Sequence, residues 1–175
     1  MKVNRLATQI ALLLLFAGAV SAAGQPLQSV ESAEGHFTVR MPGTVQRGQK
    51  LIDLKDGKTK TEYRFFSVLE NGHIAYGLTY SDGPSQAAAG KEQDVLQKVR
   101  DSVFSALSGK TLQADSSIVL EGVPGRAFTI LRANGATYAA RVFLKGPRLY
   151  QLVVSSDSGY TADRTKEFME SFQIK

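Results

Sequence analysis

His36 and His73 are the only histidines in the sequence, and neither has a neighbouring histidine or carboxylate at ligand spacing. A zinc site needs three or four converging ligands, so no metal is expected. With no cysteine in the chain, thiol nucleophiles and thiolate clusters are excluded as well. A nucleophilic serine would want a strained Gly-x-Ser-x-Gly elbow or an equivalent oxyanion turn. Neither is present, and Ser108-Gly109 and Ser158-Gly159 read as helix boundaries. Neither Gly-x-x-x-x-Gly-Lys nor Gly-x-Gly-x-x-Gly occurs, so nothing is set up to cradle a nucleotide phosphate. Glu167 and Glu170 stand three apart beside Lys166, the pattern of a solvated helix face. No catalytic residue and no cofactor is therefore expected.

Two groups of residues remain that could hold a ligand. Arg141 interrupts a row of apolar residues, and a guanidinium stays protonated even when buried, so it needs acceptors. It would either pair with an acid or with helix-end carbonyls, or anchor an anion with Arg126 and Lys145 as accessory cations of the same face. The second group is aromatic: Tyr63 and Tyr76, with Phe65 and Tyr80, alternate along residues 62–80 and could floor a pocket for a small apolar molecule. The same alternation is also what a packed core requires.

The elements that position these residues are mostly strands. Asn134-Gly135, taken as a two-residue type I′ loop, pairs Arg132 with Thr137, Ile130 with Ala139 and Phe128 with Arg141. Gly146-Pro147 sets Phe143 opposite Tyr150, Arg141 opposite Leu152 and Ala139 opposite Val154. On these registers Phe128 and Ile130 share a face with Arg141, Phe143, Tyr150, Leu152 and Val154, while Leu131, Tyr138, Ala140, Val142, Leu144, Leu149 and Val153 lie on the other. Both faces are apolar, so both must be covered.

Further strands are predicted over His36–Met41, stopped by Pro42-Gly43, over Lys50–Leu54 before Asp56-Gly57, and over Ser116–Leu120 before Glu121-Gly122. Glu62–Glu70 pairs with His73–Tyr80 across Asn71-Gly72, matching Leu69 with Ile74, Ser67 with Tyr76, Phe65 with Leu78 and Tyr63 with Tyr80. Between Lys91 and Ser108, apolar residues at Val95, Leu96, Val99, Val103 and Leu107 fall at helical spacing, with Glu92 and Asp94 near the start and Gly109 as the residue beyond the end. A last helix starts near Thr161, a plausible N-cap, and carries Phe168 and Phe172 one turn apart. The two helices are the expected covers. The fold class that follows is α+β: an antiparallel sheet of about seven or eight strands with helices over both faces.

Lys2 and Arg5 precede an apolar run from Ile10 to Val20 and the small residues Ser21, Ala22 and Ala23, which is the pattern of a secretory signal peptide over 1–23. The run is short of the roughly 20 apolar residues of a membrane span, and no cysteine offers a lipid anchor. Residues 24–175 then form a single domain, long enough to bury a core, and periplasmic or secreted. Losing Lys2 and Arg5 lowers the formal charge from +5 to +3. That mild basicity, without a dense basic stripe, does not point to nucleic acid.

Gly35-His36-Phe37-Thr38-Val39 with Met41-Pro42-Gly43, the strand pair at Asn71-Gly72, the long helix, Gly122-Val123-Pro124-Gly125-Arg126, Arg141-Val142-Phe143-Leu144, Arg148-Leu149-Tyr150-Gln151-Leu152 and Phe168–Phe172 together resemble the PsbP-like and DcrB-like superfamily. The resemblance spans nearly all of the mature chain. It implies a sheet sandwiched by helices and a non-enzymatic role as accessory subunit, envelope factor or partner-binding module, and it brings no catalytic residues with it. The leading expectation is an exported binding or assembly module with a protein partner in the cell envelope. The alternatives are a small apolar-ligand carrier using the 62–80 hairpin, and a hydrolase with acids or His36 in a cleft.

Overall fold

The structure, a computed structural model, describes residues 27–53, 59–69, 73–83, 90–157 and 162–175. The leader, the Asp56-Gly57 and Asn71-Gly72 turns, Ser158-Gly159 and the N-cap at Thr161 lie outside them. The described residues form β1 (Leu27–Ser32), β2 (Phe37–Pro42), β3 (Gln46–Asp53), β4 (Thr59–Leu69), β5 (Ile74–Asp82), α1 (Glu92–Ala106), β6 (Gly109–Leu120), β7 (Val123–Arg132), β8 (Thr137–Lys145), β9 (Arg148–Ser156), α2 (Ala162–Glu170) and β10 (Gln173–Ile174). Seven strands make one antiparallel sheet in the order β3-β4-β5-β9-β8-β7-β6, and a separate small sheet has the order β1-β2-β10.

Two of the turn-derived registers hold. Leu69 faces Ile74 and Tyr63 faces Tyr80 across β4 and β5; Phe143 faces Tyr150 and Arg141 faces Leu152 across β8 and β9. The third is corrected by one residue. The loop between β7 and β8 has three residues, Ala133, Asn134 and Gly135: Gly135 N–H donates to Arg132 C=O at 3.1 Å and Arg132 N–H donates to Ala136 C=O at 2.8 Å. Gly135 takes the left-handed conformation at φ 85°, and Asn134 Oδ1 accepts from Ala136 N–H at 3.1 Å. This is a type I turn followed by a left-handed bulge residue, the three-residue alternative to the type I′ loop. Phe128 therefore faces Ala140, Ile130 faces Tyr138 and Arg126 faces Val142, while Arg141 faces Ala127.

A one-residue slip exchanges the two faces of a strand. Phe128 and Ile130 consequently leave Arg141's face and join Tyr138, Ala140, Val142 and Leu144 under α1, whose Leu96 and Val103, with Leu107 just beyond it, are buried among them. Val99 packs against the same cluster from a half-buried position. Glu92 and Asp94 occupy the first turn of α1 as expected. Its far end differs: Ser108, not Gly109, adopts the left-handed conformation at φ 50°. Gly109 instead opens β6 hard against the helix, where a Cβ would stand 2.6 Å from the Phe104 ring. β6 is longer than the predicted Ser116–Leu120 because it is an edge strand, exposed along most of its length, and so shows no apolar alternation to read.

The opposite face of the large sheet carries Phe65, Leu78, Tyr80, Phe143, Tyr150 and Leu152. Its cover is chiefly a second sheet rather than a helix. β1 and β10 flank β2, and Phe37 of β2 meets Phe65 edge-on at 5.2 Å and Tyr80 at 5.9 Å. α2 and the segment after it add Phe168, Met169 and Phe172 to the same core. Neither β1 nor the two-residue β10 is predicted, since each forms only by adding to an edge of β2. Polar anchors join the layers: Tyr150 Oη donates to Gly35 C=O at 2.8 Å, Ser67 Oγ to Pro42 C=O at 2.6 Å, and Ser171 Oγ accepts from Arg40 N–H at 2.8 Å.

Candidate functional site

Arg141 projects from β8 onto the face shared with α2. Its Nη1 donates to the Met169 carbonyl at 3.1 Å, in the last turn of α2, where the helix leaves carbonyls without intrahelical partners. Arg141 also lines a cavity of about 370 Å³ between α2 and strands β6 to β8. Its floor is made of small side chains, Ala114, Ala127 and Ala139, with the hydroxyl residues Ser116 and Thr129 beside them. Thr165, Lys166 and Met169 form the α2 wall. The hollow exists because β6, β7 and β8 carry small residues on this face, whereas β9 and β5 carry Tyr150, Leu152 and Leu78.

Arg126 does not share this site. It lies on the α1 face, where its Nε and Nη2 donate to the two carboxylate oxygens of Asp115, each at 2.6 Å. Arg100 of α1 donates to the same carboxylate and, at 2.6 Å, to Asp101. Burial pushes the Asp115 carboxyl up, and the hydrogen bonds from Arg126 and Arg100 outweigh it, so the net shift is downward. The arrangement ties β6, β7 and α1 together, a fork-to-fork pairing suited to positioning rather than to ligand capture. Sequence reading missed Asp115 because its partners lie 11 and 15 residues away. Lys145 is on Arg141's face but exposed; its Nζ donates to the main-chain oxygen of Lys175 at 3.1 Å, and it borders a second hollow of about 260 Å³ beside Glu92 and Gly122.

Tyr63 and Tyr76 are not brought together around a cavity. Tyr63 stacks on Tyr80 at 4.7 Å with the rings 11° apart, and its hydroxyl is raised by a hydrogen bond with Glu34 and, less, by burial. Tyr76 is fully buried, two rows away, with Phe168 edge-on at 5.5 Å. The space above the aromatic hairpin is filled by Phe37, Phe168 and Phe172, so the expected ligand floor is core. His73 Nδ1 lies 2.9 Å from Asp157 Oδ1 at an exposed position, and His36 sits in the β1–β2 turn at φ 51°. Among the described residues no three His, Asp or Glu side chains gather where a metal could be held. No described helix is long and apolar enough to cross a membrane.

The second sheet is fixed to the large one by a further polar group. Arg148 donates from Nε and Nη2 to the two oxygens of Asp82 at 2.6 and 2.8 Å, and from Nη1 to Glu34 C=O at 2.7 Å. Its guanidinium also lies 5.0 Å from the Tyr80 ring centre. The hydrogen bond from Arg148 holds the Asp82 carboxyl below its ordinary value.

No known family profile and no curated protein sequence matches the chain. Its structure is similar to the solution structure of cyanobacterial PsbP from Synechocystis sp. PCC 6803, with a TM-score of 0.54 and 16% sequence identity over 90% of this chain and 98% of that one. At that identity the likeness is one of fold: the chain has a PsbP-like fold.

Proposed function

We propose that the protein is an exported, non-enzymatic binding or assembly module of the cell envelope that works by docking onto a protein partner. The observation that carries this reading is the likeness of fold to cyanobacterial PsbP over 90% of this chain and 98% of that one. The polar groups of the described residues agree with it: Arg126, Arg148 and Asp115 are engaged in structural pairs, as expected of a scaffold whose surface does the work. Residues 1–23 serve as the export signal, with cleavage near Ala22 or Ala23 where small residues follow the apolar run.

The apolar-carrier reading gains nothing from the hairpin at 62–80, whose rings are consumed by packing. The test is affinity purification of the tagged, full-length protein from its native envelope fraction after crosslinking, with amino-terminal sequencing of the mature form. A stoichiometric protein partner and a start near residue 23 or 24 are expected. A mature protein that begins at Met1, or one that stays monomeric and uncrosslinked in that fraction, overturns the proposal.

A further inference from the structure

Arg141 differs from four of the other partly buried arginines, and resembles Arg132, whose Nε donates only to Leu107 C=O among the described residues. Arg64, Arg100, Arg126 and Arg148 each reach a carboxylate at 2.6–2.7 Å. Arg141 has none among the described residues: one nitrogen donates to Met169 C=O, and its other N–H groups have no protein acceptor there, nor are they sealed from solvent. They belong to a side chain that lines the 370 Å³ cavity. Among the described residues the only other charged one lining it is Lys166, so two described cations and no described acid face the space. A guanidinium held by one hydrogen bond is oriented, and its free edge presents parallel donors that match a carboxylate.

We propose that this cavity is a binding site for a small monocarboxylate with a compact apolar body. The Arg141 guanidinium takes the carboxylate, with Lys166 adding charge at the rim, and the body rests on Ala127, Ala139 and Met169. The volume falls in the range of small-ligand sites, about 300–1,000 Å³. A singly charged head is favoured over a phosphate dianion because the Met169 carbonyl brings the negative end of the α2 dipole to the same guanidinium. The hydroxyl residues Ser116 and Thr129 supply neutral donors of the kind that fix orientation.

The probe is hexanoate, titrated into the full-length protein and followed by amide chemical shifts, with hexanol and inorganic phosphate as controls. Saturable shifts at the amides of Ala127, Ala139, Arg141 and Lys166 are expected with hexanoate, and much weaker ones with either control. Losing a charge-assisted hydrogen bond weakens binding about ten- to a hundredfold, so Arg141→Met should reduce hexanoate affinity by that factor. Should Arg141→Met fail to fold, Ala127→Leu, which fills the floor and leaves the guanidinium in place, should abolish the shifts, and Lys166→Met should weaken them a fewfold. Hexanol or phosphate binding as well as hexanoate, shifts confined to other regions, or unchanged affinity in Ala127→Leu overturns the proposal.

Discussion

At the scale of single residues, the charged side chains of this chain act mainly as fasteners, and Asp115 shows how. It accepts two hydrogen bonds from Arg126 and one from Arg100, which together hold its carboxyl below the ordinary range despite burial. A carboxyl whose folded pKa lies below its unfolded value adds stability that is present above about pH 4 and is lost as pH falls through the folded pKa. Asp115→Asn should therefore destabilise by about 2–3 kcal/mol near pH 7, since it strips the largely buried Arg126 of its carboxylate and leaves Arg100 with Asp101 alone. The gap from wild type should narrow near pH 3, as read from urea unfolding at both pH values; a gap of equal size at both would count against the carboxylate's role. Val103 is the apolar counterpart. It is fully buried beneath α1, and Val103→Asp should cost about 3 kcal/mol or more, because an unpaired charge is left in the core. A loss within about 0.5 kcal/mol in the same assay, the range of surface changes, would place that stripe in water.

At the scale of elements, the β7–β8 hairpin is where the sequence misleads. The dipeptide Asn134-Gly135 serves a two-residue type I′ loop and the end of a three-residue loop equally well. The usual arbiter is the wet face, since a slipped strand would put polar residues inside. Here both faces are apolar: Phe128 and Ile130 are as acceptable beside Leu152 as beneath Leu96. The three-residue loop is decided by packing against α1, which needs Phe128, Ile130, Tyr138 and Val142 on one side. Deleting Ala133 leaves a two-residue Asn-Gly loop that keeps Arg132 opposite Ala136, and so keeps the register and both faces of the hairpin. The variant should therefore still unfold cooperatively, as loop deletions are ordinarily tolerated. A variant that loses cooperative thermal unfolding would show that the loop itself, and not packing under α1, holds the register.

At the scale of the whole molecule, two cores lie on either side of one seven-stranded sheet, and Phe37 is the hinge pin of the second. Its ring touches Phe65, Tyr80, Tyr150 and Phe172 at centroid distances of 5.2–6.4 Å, so it joins both sheets and the segment after α2. Phe37→Ala should cost about 3–5 kcal/mol and should loosen β1 and β10 first, detectable as faster amide exchange at Val30 and Ile174 than in the α1 layer. Uniform loss of protection would mean that the two cores unfold as one unit. What the sequence determined by itself was local: strand alternation, the helical spacing from Val95 to Leu107, and the hairpin registers at Asn71-Gly72 and Gly146-Pro147, because turn chemistry and side-chain period act over a few residues. The class of fold followed from two apolar faces that demanded cover. Only the tertiary structure decided what supplies that cover on Phe37's side, since β1 and β10 exist as strands only through β2. It also separated Arg126 from Arg141, gave the first a carboxylate and left the second facing a cavity. That separation depends on one residue in a loop, and its cause lies in packing across the sheet, beyond the reach of any local pattern.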